Sequence, residues 1–112
     1  MKTATRHPLT ISYTLMVSDE VIQHIKDSDG TRYWAEHSGD FEVRIPTDGD
    51  IYLKSVDDPT EFHIYSTESC LRGIALWIQN GGDIEVLRSL DTDCDDHDHI
   101  WQYAFFGGIV YG

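Results

Sequence analysis

The chain has 112 residues, 40% hydrophobic and 12% aromatic, with twenty acids against eight bases and a formal net charge of −12. This composition predicts one folded domain, 1–112, rather than a disordered chain, and no apolar run approaches the roughly 20 residues of a membrane-spanning helix. The negative field disfavours direct contact with nucleic acid or anionic membranes. It is compatible with a merely soluble surface, with life at high salt, or with docking onto a basic groove.

Residues 1–13, MKTATRHPLTISY, lack the apolar core of a secretory signal, which makes the cytoplasm the expected compartment. In LTISYTLM, Leu9, Ile11, Tyr13 and Leu15 alternate with polar residues, and the period predicts a strand over 9–16. Ser18 is an N-cap for a short helix with Asp19 and Glu20 at its positive end and Val21, Ile22 and Ile25 on its inward stripe. His24, four residues from Glu20, reads as half of a surface pair. TRYWAEH is expected as a loop or short strand. Tyr33 and Trp34 are its exposed aromatic candidates, with core packing as the competing role.

Phe41, Val43 and Ile45 alternate with Glu42 and Arg44, and PTDGD and DDPT turn the chain into IYLKSV and EFHIY. Such short connections predict an antiparallel meander, with His63 on the face shared with Tyr65. From residue 67 the period becomes 3.6. Leu71, Ile74, Ala75 and Ile78 form a stripe broadened by Cys70 and Trp77, with Thr67 as N-cap and Gly81-Gly82 as the stop. Asp83 is placed to cap a short helix in IEVLRSL, where a strand is the alternative. IWQYAFF reads as a buried helix ended by Gly107-Gly108, and IVYG as a terminal strand. The fold class is therefore α+β: a compact single domain with an antiparallel β-meander of about four to five strands and about three to four helices.

The stretch DTDCDDHDH, 91–99, invites a metal reading. As a calcium loop starting at Asp91, it has Asp93 and Asp95 in place. It puts Asp96 where a glycine is needed and Gln102 where the bidentate carboxylate belongs. Cys94 and His97 have a zinc-like spacing, but further ligands must come from distant residues such as His63 or Cys70, and no second close pair exists. Neither a metal nor a cofactor is expected, and both cysteines are expected reduced and structural. The helix-start reading uses more of the residues. Asp93 or Asp95 caps the helix and neighbouring carboxylates face its dipole. Capping does not absorb all of the charge: from Asp83 to His99 seven acids face one base. No nucleophile elbow, phosphate loop, HExxH or dinucleotide fingerprint occurs, so no catalytic residue is assigned.

RYWAE (32–36), DTDCDDHDH and the terminal WQYAFFGGIVYG together resemble small acidic uncharacterised proteins of tailed bacteriophages and prophages. In those a YW motif follows a short helix, and an Asp-rich helix start leads into a pattern similar to LQxALFGEIVYG. This chain has DGTR before YW and FGG for FGE. The resemblance implies a viral accessory protein in the host bacterial cytoplasm and transfers no functional residue. With the acidity, it leads to the expectation of a non-enzymatic protein that binds and inhibits a host protein with a basic surface, such as a CRISPR effector. The contact would use an acidic, nucleic-acid-mimicking face of Asp83, Glu85, Asp91, Asp93, Asp95, Asp96 and Asp98, with Tyr33 and Trp34 as aromatic anchors. A small-molecule sponge or metal-binding protein built on Trp34, Tyr33 and histidines, or a structural or oligomerising accessory protein, is the alternative. The oligomeric state is left open.

Overall fold

The computed structural model describes residues 5–10, 12, 14–28 and 32–112. Its order is α1 (Asp19–Lys26), α2 (Tyr33–His37), β1 (Phe41–Arg44), β2 (Tyr52–Ser55), β3 (Phe62–Ile64), α3 (Thr67–Gln79), α4 (Ile84–Arg88) and α5 (Cys94–Phe106). The class is α+β, but among the described residues the sheet has three strands rather than four or five, and the helices number five rather than three or four.

The meander is antiparallel in the order β1-β2-β3, with Val43 opposite Leu53 and Leu53 opposite His63. Those three residues face the helices, and Leu53 is fully buried at the centre of the sheet. Both missing strands have a physical reason. Alternation specifies a buried face, not a hydrogen-bonding partner. No described residue of 9–16 is in a strand, and Leu9 and Met16 are exposed, while Leu15 and Val17 border a groove with Ile74 and Ile78 of α3. Ile11 and Tyr13, half of that expected stripe, lie outside the described residues. In the terminal IVYG, the backbone is met by a side chain instead of a neighbouring strand. Gln102 accepts from the N–H groups of Val110 and Tyr111, 2.8 Å each, and donates to the Tyr111 carbonyl at 2.9 Å. The one polar residue of the IWQYAFF run is thus fully buried because it holds the chain that follows it.

Ser18 caps α1 by accepting from the Val21 N–H, and Val21, Ile22 and Ile25 are buried as expected. Within TRYWAEH, Tyr33–His37 is a helix and not a loop or strand: α2 buries Trp34 and Ala35, while Arg32 and Glu36 lie one turn apart at 4.0 Å. Thr31 lies outside the described residues. Ser66, not Thr67, caps α3. The buried stripe of α3 is Ser69, Cys70, Gly73, Ile74 and Trp77, whereas Leu71 and Ala75 face outward. The cause is Gly73. A Cβ there would stand 2.2 Å from the Ile100 carbonyl oxygen, so α5 crosses α3 at this residue and the contact face turns toward it.

The core joins Ile25, Leu53, Cys70, Ile74, Leu87, Ile100 and Trp101. Both cysteines are free thiols. Burial pushes the Cys70 thiol up to about 12, whereas Cys94 is exposed at the first turn of α5. No helix among the described residues is long and apolar enough to cross a membrane.

Candidate acidic cleft

The Asp-rich segment begins where α4 ends. Leu90 takes a left-handed conformation (φ 61°), and the Asp91 N–H closes the turn onto the Val86 carbonyl at 3.0 Å. This reversal aims the chain at α5. Asp93 then caps α5. Its Oδ1 accepts from the Asp96 N–H at 2.9 Å, and the Asp96 Oδ2 accepts from the Asp93 N–H at 3.1 Å, a reciprocal capping box. The backbone N–H of Asp96 holds the Asp93 carboxyl below the usual carboxylate range.

The seven acids expected to form one face divide by what they already do. Asp83 caps α4 through the Glu85 N–H at 2.8 Å. Glu85 lies 3.5 Å from the Arg88 guanidinium. Asp98 is half-buried and accepts from the Trp34 indole N–H at 2.6 Å and from the Gln102 amide at 3.2 Å. Asp91 and Asp95 are exposed and carry no such task.

The two expected aromatic anchors separate as well. Tyr33 is 70% exposed beside His37, and Trp34 is 7% exposed, so only the first is available on the surface. The Trp34 ring stacks on Tyr111 at 4.8 Å and 10° and meets Phe41 and Phe106 edge-on. The three sequence segments RYWAE, DTDCDDHDH and FFGGIVYG therefore converge on one packing cluster, with Trp34, Asp98 and Tyr111 at its centre. The Tyr111 hydroxyl donates onward to Asp40 at 2.7 Å.

The histidines do not gather around Trp34. His63 lies against Phe105 at 5.1 Å, with Glu61 3.0 Å from its Nε2. His24 is not engaged as the expected surface pair with Glu20. Its ring meets His97 edge-on at 4.9 Å, and its Nε2 lies 3.3 Å from the Thr92 carbonyl, to which it donates. His97 is buried. Its Nε2 is 2.7 Å from the Thr92 hydroxyl and its Nδ1 has no partner. Burial first, and the nearby His24 second, lower its pKa. Among the described residues no group of three or more His, Cys, Asp or Glu side chains is placed to hold a metal ion.

What the acidic segment does build is a cleft. A cavity of about 370 Å³ opens between the turn after α3, the start of α4 and the outer side of α5. Trp77, His99 and Tyr103 line it together with Asp83 and Asp96. Gly82 makes this possible: a Cβ there would lie 2.2 Å from the Trp77 ring, so the backbone lies directly on the indole. The two carboxylates each spend one hydrogen-bonding interaction on a helix start and retain acceptor capacity. The Gly82 backbone covers Trp77, which is 7% exposed, so the half-exposed ring in the cleft is that of Tyr103, beside the exposed His99, and these rings next to two carboxylates suit a cation. Trp77, His99 and Tyr103 were not among the residues expected from sequence. The spacing of Asp96, His99 and Tyr103, i, i+3 and i+7, is a single helical stripe and was the available signal. No family model, no curated protein and no solved structure matches the chain.

Proposed function

We propose that the protein is a non-enzymatic phage accessory protein that binds and inhibits a host protein through an acidic surface centred on the cleft of Trp77, Asp83, Asp96, His99 and Tyr103. The observation that carries this reading is the union of aromatic walls and two carboxylates in one open cavity on the most acidic part of the chain. An arginine or lysine from a basic surface fits such a cavity. The cation gains from the half-exposed Tyr103 ring and from charge-assisted hydrogen bonds, about 0.5–1 kcal/mol from such a ring with the carboxylates adding to it. The exposed Asp91 and Asp95 extend the negative field around it and speed the encounter. A host defence component with a nucleic-acid groove, such as a CRISPR effector, presents that chemistry, and the motif resemblance to phage proteins supplies the setting.

Because Asp83, Asp93, Asp96 and Asp98 support the fold, the test uses Glu85, Asp91 and Asp95 for charge reversal and His99→Ala with Tyr103→Ala for the cleft. Binding to a nucleic-acid-binding host effector, and to an arginine-rich peptide as a chemical probe, is measured by titration calorimetry across salt concentrations. The triple reversal is expected to weaken binding at least tenfold and flatten its salt dependence, and the cleft variant to weaken it at every salt. Unchanged affinity and unchanged salt slope in both would sink the reading.

A further inference from the structure

His99 stands apart from the other polar groups of the cleft. Asp83 caps α4 and Asp96 closes the capping box of α5. His99 is exposed and, among the described residues, has no hydrogen-bond or ion-pair partner. It lines the same cavity of about 370 Å³ as both carboxylates. On its own helix Asp95 and Asp96 lie one turn before it and Tyr103 one turn after it, so all three share its side of α5. Asp83 lines the cavity from the start of α4, and the turn after α3 brings only the uncharged Asn80, Gly81 and Gly82. Among the described residues no lysine or arginine lines the cleft. The ring is therefore set among acids, with no fixed cation to answer them.

We propose that His99 is a proton-operated gate on the cleft: neutral, it leaves the carboxylates to a guest cation, and protonated, it takes the guest's place. The inference rests on the cation-binding reading of the cleft and adds its regulation. Histidine is the side chain whose charge ordinarily changes between about pH 5 and 8. The neutral ring offers a π face to the guest. With a second proton the ring becomes a cation that only donates hydrogen bonds. It is then drawn to Asp83 and Asp96, and it repels an arginine or lysine entering the same cavity. Proton and guest thus compete for the same two carboxylates. The competition is reciprocal: mild acid weakens the guest, and a bound guest makes His99 harder to protonate. His97, two residues earlier, does not act in this way. It is buried against His24 and Thr92 and does not line the cleft.

Titration calorimetry with an N-acetylated arginine-rich peptide, at one salt concentration and at pH values of about 7.5 and about 5.5, tests this. The wild-type chain is expected to lose at least about tenfold in affinity at the lower pH. His99→Gln, which lacks both the ring and its charge, is expected to bind more weakly than wild type at the higher pH and equally well at both. It keeps His97, so any effect of that residue remains in the variant, and circular dichroism at both pH values checks that each chain is folded. In NMR, the titration midpoint of the His99 imidazole is expected to fall when the peptide is saturating. Wild-type binding that is the same at both pH values overturns the gate and leaves the cleft reading standing. A loss at low pH that persists in His99→Gln assigns the effect to another group and overturns it too. Absence of peptide binding at the higher pH removes the cleft reading and this inference with it.

Discussion

Within DTDCDDHDH, chemically identical carboxylates have unequal work. Asp98 supports Trp34 and Gln102 at once, and both donors lie in partly buried surroundings. Removing it leaves donors unsatisfied at about 1–3 kcal/mol for a group so orphaned. Asp98→Ala is therefore expected to lower stability by about 2 kcal/mol in urea unfolding, whereas Asp91→Ala and Asp95→Ala stay within about 0.5 kcal/mol of the parent chain. Equal effects at all three positions would contradict the division of roles. Composition cannot distinguish these residues, because the distinction depends on which donors tertiary packing brings near. The cap was legible as Asp93 or Asp95, and Asp93 is the one that caps, with Asp96 three residues after it closing the box. The indole that meets Asp98 arrives from 64 positions away, and no local pattern announces it.

The elements that could be read were those whose period and ends agreed. The α1 and α3 segments combine an apolar stripe with a hydroxyl residue at the start, although the α3 cap is Ser66 and not the expected Thr67, and Asp-Gly and Asp-Pro set the two turns of the meander. Two others could not be read. At five residues, α2 is too short to show a period, and 9–16 has the period of a strand while its described residues join no ladder. The inward face of α3 departs from the count of its apolar residues because α5 crosses at Gly73, which such a count ignores. Gly73 also gives a test in which two effects oppose each other. Helix propensity alone favours alanine over glycine by about 1 kcal/mol, but the new Cβ meets the Ile100 carbonyl of α5, a backbone atom that cannot turn aside. Overpacking costs about 1–3 kcal/mol and more against backbone. Gly73→Ala is thus expected to lower stability by about 2 kcal/mol or more and to reduce the melting temperature. A stabilised variant would place the α3–α5 crossing elsewhere.

At the scale of the whole molecule, two groups with lowered pKa values, His97 and Asp93, make stability depend on acid. His97 has a pKa below its ordinary value of 6.5 in the fold, so at mildly acidic pH the unfolded chain binds a proton that the folded chain resists. Stability is then greater above that value and declines as pH falls through it toward the folded pKa. His24 faces His97 and opposes its protonation, while Asp93 and Asp96 favour it without reversing the direction. Asp93 adds a second window. Its carboxyl lies below 3.8 in the fold, so the stability it contributes is lost as pH falls below that value. The urea midpoint is expected to drop in two stages, and His97→Gln to remove the upper one. A midpoint flat between pH 7 and pH 5, with 6.5 as the reference value, would be incompatible with the buried neutral imidazole. Trp77, lying under the Gly82 backbone at the wall of the cleft, has a practical consequence. Its indole is positioned to change emission when a cation enters, so the cleft carries its own optical reporter. With the core residues Trp34 and Trp101 left in place, occupancy can be followed as the change in intrinsic fluorescence, with no label attached to either partner.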